Sequence, residues 1–121
     1  MARIRVSLSG GGSGGTLSTS LVNIGTSVNK TLSDLTVGKK YTLVLFCAWT
    51  NTSYGNAWVT PTAVSGMKDG VLTELVAPAN YKVGSGTIYA FYSAYEFVAS
   101  DTTAVFSNGR PETNYCFLIS D

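Results

Sequence analysis

The side chains of this sequence that could move protons are seven carboxylates and two thiols, and there is no histidine. Without imidazole the commonest general base, the usual serine-protease triad and most zinc sites are lost. Glycoside hydrolysis needs only two carboxylates, and two pairs lie close in sequence, Asp69 with Glu74 and Glu96 with Asp101. Asp69 and Asp101 stand in turn contexts, where Asp is favoured for hydrogen bonds to its own backbone. Glu96 interrupts an aromatic strand, where a solvated strand end is the simpler reading and a buried, paired acid the alternative. Cys47 and Cys116 sit in apolar runs, LVLFCAW and NYCFLI. They read as buried thiols in a reducing compartment, with a disulfide between neighbouring strands left open. The expectation is a non-enzymatic chain with no cofactor and no metal site.

Two other patterns could bind rather than react. Gly10, Gly12 and Gly15 satisfy G-x-G-x-x-G after a short β-favouring run, and Asp34 follows at about the spacing of a ribose-binding acid. That chemistry needs a helix N-terminus aimed at a pyrophosphate and a βαβ unit behind it. The residues after Gly15 are mediocre helix formers, so the glycine–serine run reads as a flexible linker. In AWTNTSYGNAW, Trp49, Asn51, Tyr54, Asn56 and Trp58 crowd a strand–loop–strand segment. Flat rings and amides of this kind can stack on and orient a sugar; large aromatics also plug the end of a sandwich.

The elements that must position these residues are strands. A chain of 121 residues fits one domain with one core. Its charged share is 12% and its net charge +1, which offers nothing for nucleic acid or an anionic membrane surface to select. No continuous apolar stretch follows Arg3 and Arg5, so no leader or span is expected, and synthesis in the cytoplasm follows. Short apolar runs separated by Gly, Asn, Asp and Pro predict an all-β antiparallel sandwich of about eight strands over residues 16–121, preceded by a strand-like arm and linker at 1–15. The candidates are Ala2 to Leu8, Leu17 to Ile24, Ser27 to Leu35, Lys40 to Thr50, Ala57 to Val64, Val71 to Val76, Thr87 to Ala99, Thr103 to Ser107 and Asn114 to Ser120. Turns are expected at Val37-Gly38-Lys39, at Asp69-Gly70, at Asn80 with Gly84 and Gly86, at Ser100-Asp101 and at Asn108-Gly109.

Alternation along two strands predicts assembly. Tyr41, Leu43, Leu45, Cys47 and Trp49 share one face, yet Val44, Phe46 and Ala48 fill the other. Thr87 to Ala99 is likewise apolar on both sides. A face bearing Phe46, Ile88, Tyr92 and Val98 needs cover; a second copy of the same surface supplies it, and the N-terminal arm folding back within one chain is the alternative.

In SDLTVGKKYTLVLFCAW, Leu35, Val37-Gly38-Lys39 and Tyr41 resemble the L-x-x-G-x-x-Y lead-in to a strand in small jelly-roll and sandwich modules, including carbohydrate-binding modules and phage tail or fibre proteins. The wider texture resembles virion components of bacteriophages or prophages: a short strand, a glycine linker, few charges and a Ser/Thr/Asn/Gly-rich β domain. The resemblance implies a jelly-roll-like fold and a structural role in a virion. It further implies a homo-oligomer, a trimer by the fibre analogy, and an arm that anchors to other virion proteins. A head recognising cell-surface glycans is the alternative.

Overall fold

Val, Ile, Thr, Phe and Tyr favour the pleated, half-buried surface of a strand, and the described residues obey that preference almost throughout. The computed structural model describes residues 2–7, 16–49, 60–83, 88–108 and 113–121, with side chains described for 17–46, 60–79, 92–108 and 113–121. Nine strands form among these residues: β1 (Ala2–Ser7), β2 (Thr16–Asn23), β3 (Asn29–Leu32), β4 (Lys40–Trp49), β5 (Thr62–Ser65), β6 (Thr73–Val83), β7 (Ile88–Val98), β8 (Ala104–Ser107) and β9 (Tyr115–Ser120). The strand expected at Ala2 to Leu8 is β1, and the expected eight strands are β2 to β9.

All pairings are antiparallel, in a six-stranded sheet ordered β1-β2-β9-β4-β7-β6 and a three-stranded sheet ordered β3-β8-β5. β2 pairs with β9, β3 with β8 and β4 with β7, the nested pairing of a hairpin rolled upon itself that defines a jelly roll. The fourth pair of that scheme would be β5 with β6. Here β6 joins β7 in the larger sheet, which leaves the smaller sheet three strands wide. The core lies between the sheets: Leu32, Ala104 and Phe106 of the smaller one face Leu43, Leu45, Tyr95, Phe97, Cys116 and Leu118 of the larger, all buried.

One end of the core is closed by the segment from Leu35 to Tyr41. Gly38 takes φ +86°, a conformation that favours glycine, and its N–H donates to the Ala99 carbonyl at 2.7 Å. The turn sends the chain into β4, where the buried Tyr41 ring stacks on Phe97 with centroids 5.6 Å apart. The Tyr41 hydroxyl accepts from the Thr36 N–H at 2.8 Å, so the phenol satisfies a backbone group of the turn while its ring fills the core. Leu35 is buried beside it.

Three strand boundaries differ from expectation. β3 stops at Leu32 rather than Leu35, because the chain turns through Asp34 at φ +59°, a left-handed geometry no strand contains. Where Ala57–Val64 was expected, the strand is Thr62–Ser65, and positions 57–59 lie outside the described residues. β6 runs past Val76 and Pro78 to Val83, so the turn expected at Asn80 is strand. Proline is tolerated there because β6 is an edge strand, and register shifts between Glu74 and Val76 and between Val76 and Ala79 absorb the lost pairing. The Asp69-Gly70 turn forms as expected, with φ +57° and +64°.

Candidate functional site

The outer face of the six-stranded sheet is built by the side chains that alternate with the core. In β4, β7 and β9 the inward residues Leu43, Leu45, Ser93, Tyr95, Phe97, Cys116 and Leu118 are buried. Their neighbours along the strand therefore point away from the second sheet. Register places Leu21 of β2 opposite Phe117 of β9, Phe117 opposite Val44 of β4, Val44 opposite Ala94 of β7, and Ala94 opposite Val76 of β6. One row across five strands is thus wholly apolar. Beside it Phe46 pairs with Tyr92, and Tyr92 with Ala79. Phe46 is 49% exposed, Tyr115 48%, Phe117 and Tyr92 42% and Leu21 40%. Such exposures are ordinary singly; grouped on one sheet face they are the mark of a surface awaiting cover. A hollow of about 320 Å³ lies on this face, lined by Leu21, Phe46, Tyr115, Cys116 and Phe117.

The residues expected to form the interface are divided by the structure. Phe46 and Tyr92 are direct cross-strand partners. Val98 stands opposite Lys40, six residues beyond Tyr92 and roughly 20 Å along the strand, where it is half-buried. Ile88 pairs with Val83 at the start of β7, and its side chain lies outside the described residues. Leu21, Tyr115 and Phe117 belong to the face and were not expected in it. The signal for the last two was the alternation in Tyr115-Cys116-Phe117-Leu118, which has the same two-sided apolar pattern as β4.

The aromatic cluster expected to stack on sugars lies outside the description. Trp49 ends β4, opposite Tyr89, but its side chain is not among those described, nor are Asn51, Tyr54, Asn56 and Trp58. The carboxylates fall as their contexts suggest. Asp101 accepts from the Thr102 N–H at 2.6 Å, the self-satisfied turn expected of it. Glu96 is half-buried on the outer face and pairs with Lys40 at 3.6 Å, so it combines the two readings open to it. Glu96 also lines a hollow of about 150 Å³ with Asp69, Lys68 and Val98, an acid pair that sequence neighbourhood did not suggest. Among the described residues no three His, Cys, Asp or Glu side chains converge as a metal site would require.

Cys116 is a free thiol, so the disulfide left open by sequence does not form. Burial pushes its pKa up to about 12, since the apolar core disfavours the thiolate. It is inert as a nucleophile or a ligand near neutrality. Lys30 is the inward residue no pattern foretold: fully buried on β3, it donates from Nζ to the Gly25 carbonyl at 3.1 Å.

A second concave surface lies where β2, β3 and β9 meet. Leu21, Val22, Asn23, Thr31, Ser33, Asp34 and Tyr115 line an open groove of about 460 Å³. Asn23 and Tyr115 are register partners, and the Asn23 Oδ1 accepts from the Gly25 N–H at 2.8 Å. No protein-family model, no curated protein and no solved structure matches the chain.

Proposed function

We propose that this chain is a non-enzymatic structural module that assembles with copies of itself, in the manner of a bacteriophage or prophage virion or tail-fibre component. The observation that carries the assembly is the apolar outer face running from Leu21 through Phe117 and Val44 to Val76, with Phe46, Tyr92 and Tyr115 beside it. Ion pairing on the face is confined, among the described residues, to Lys40 with Glu96, and the whole chain carries a net charge of +1. Copies therefore approach without strong repulsion. A second copy of the same surface under closed symmetry covers the patch with its own kind, which makes the contact self-complementary.

Light scattering at micromolar concentration tests the assembly. The expected mass is a multiple of 12.7 kDa, and Phe46→Lys is expected to return the protein to a folded monomer by placing a charge at the centre of the face. A monodisperse wild-type monomer overturns the reading. The virion assignment has its own test: capsid and tail genes beside this one support it, whereas neighbouring genes for carbohydrate-degrading enzymes count against it.

A further inference from the structure

We infer that the groove between β2, β3 and β9 is a binding site for a neutral saccharide. This goes beyond the assembly reading and does not depend on it. The lining divides by chemistry into two parts. Leu21, Val22 and the half-exposed ring of Tyr115 give an apolar side, and Asn23, Thr31, Ser33 and Asp34 give an amide, two hydroxyls and a carboxylate. A ligand matched to both must present C–H surface and several hydroxyls at once, which is the two-sided character of a pyranose ring.

Charge narrows the class. Among the described residues no Lys or Arg lines the groove, and Asp34 is acidic, so phosphate, sulfated or carboxylated ligands meet one repulsive group there and no described cation. A purely apolar ligand would strip water from four polar side chains and return no hydrogen bonds. The polar side is held in position. The Gly25 N–H fixes the Asn23 carbonyl oxygen, which leaves the amide NH2 to donate. The chain at Asp34 is pinned by the adjacent Leu35 N–H, which donates to the Thr102 carbonyl at 2.9 Å. A volume of about 460 Å³ falls in the usual range for small-ligand sites and suits a short sugar better than an extended chain.

Tyr115 and Leu21 line both this groove and the hollow on the outer face, so the variants must separate the two surfaces. Thr31→Val keeps a β-branched strand residue and removes one hydroxyl from the groove alone; Phe46→Lys alters the face alone. The full chain, isotopically labelled, is titrated with maltose, cellobiose and lactose at millimolar concentration and followed by amide chemical shifts. At least one disaccharide is expected to move the amides of Asn23, Thr31, Ser33, Asp34 and Tyr115. Thr31→Val and Ser33→Ala are each expected to weaken that binding roughly five- to tenfold, with the amide spectrum elsewhere unchanged, and Phe46→Lys to leave it intact. The inference is overturned by the absence of shifts at these five residues with all three sugars, by binding that survives Thr31→Val and Ser33→Ala together, or by tighter binding of sialyllactose than of lactose. None of these results bears on the oligomeric mass, so failure here leaves the assembly test standing and the reverse.

Discussion

The two faces of β4 and β7 are made of similar residues and meet opposite fates. Inward stand Tyr41, Leu43, Leu45, Ser93, Tyr95 and Phe97, all buried; outward stand Thr42, Val44, Phe46, Tyr92, Ala94 and Glu96, none of them buried. Apolar character does not distinguish the faces well, since Phe46 and Tyr92 are as apolar as Tyr41 and Phe97. What distinguishes them is the presence of a second sheet on one side. Even there the cover is partial, because three strands face six. In β6 Glu74 stands opposite the inward Tyr95 and Val76 opposite the outward Ala94, and both are exposed, so at that edge neither face of the strand is covered. The move of β6 away from β5 widens one sheet, narrows the other, and leaves apolar surface that a closed jelly roll would bury.

The sharpest way to break this comparison is to truncate matched aromatics on the two faces. Phe97→Ala empties a fully buried site and removes the partner of the Tyr41 ring, so urea unfolding should report a loss of about 3–5 kcal/mol. Phe46→Ala removes a ring of the same size from the open face. Its cost to the isolated chain should stay within about 0.5 kcal/mol, and its effect should appear in assembly instead. Equal losses at the two positions would mean that the outer face is covered within one chain.

A smaller effect separates the faces by pH. The Cys116 thiol has an ordinary pKa near 9.0, raised by burial to about 12. A raised acid keeps its full contribution to stability below the unfolded value and loses it as pH climbs toward the folded one, because the unfolded chain releases the proton first. Stability should therefore be flat from pH 7 to pH 9 and fall by about 1.4 kcal/mol over each unit above pH 9. Tyr95, whose phenol burial also raises, adds to the fall only above its ordinary value of 10.0. Urea denaturation between pH 8 and pH 10 should show the slope, and Cys116→Ala should flatten it. A slope unchanged in that variant would assign the titration elsewhere.

Much of this architecture was legible because the physics that dictates it is local. Side-chain alternation has a period of two whatever the tertiary context, so β4 and β7 and the division of their faces could be read from Tyr41 to Phe46 and from Tyr92 to Val98. Gly38 and Asp69-Gly70 declared their turns by conformational preference alone. The decision for strand over helix between Thr16 and Leu35 rested on residue type and agrees with β2 and β3. The rest depended on distant parts of the chain. Pro78 halts a central strand but not an edge strand, and edge position is a property of the sheet. Lys30 alternates correctly with Leu32 as an inward residue, but a lysine is read outward by default. The groove was invisible for the same reason: Asn23, Thr31, Asp34 and Tyr115 come from three strands and a turn, and only the β2–β9 register and the proximity of β3 bring them together. The apolar outer face was half legible, since alternation finds Phe46 and Tyr92, whereas Val98 lies six residues beyond Tyr92 along the same strand.

The two edges of the larger sheet extend the comparison to its smallest expected effect. β6 is guarded, with Pro78 and two register shifts interrupting its pairing, the devices that keep an edge from recruiting another strand. β1 pairs with β2 without interruption from Ala2 opposite Leu21 to Ser7 opposite Thr16. That register is unbroken, so the same hydrogen bonds could be made by the β1 of another copy, or by another protein, if the arm left its own sheet. The glycine–serine stretch from Ser9 to Gly15 offers few side chains to resist such an exchange. An edge strand joined to the rest through one neighbour contributes little to the core between the sheets. Removing residues 1–15 should therefore leave a cooperative transition with Tm within about 4 °C of the full chain by calorimetry, while light scattering of the same sample shows weakened assembly. Loss of the cooperative transition would mean that Ile4, Val6 and Leu8 belong to the stability of the sandwich itself, and would end the reading of the N-terminus as an arm.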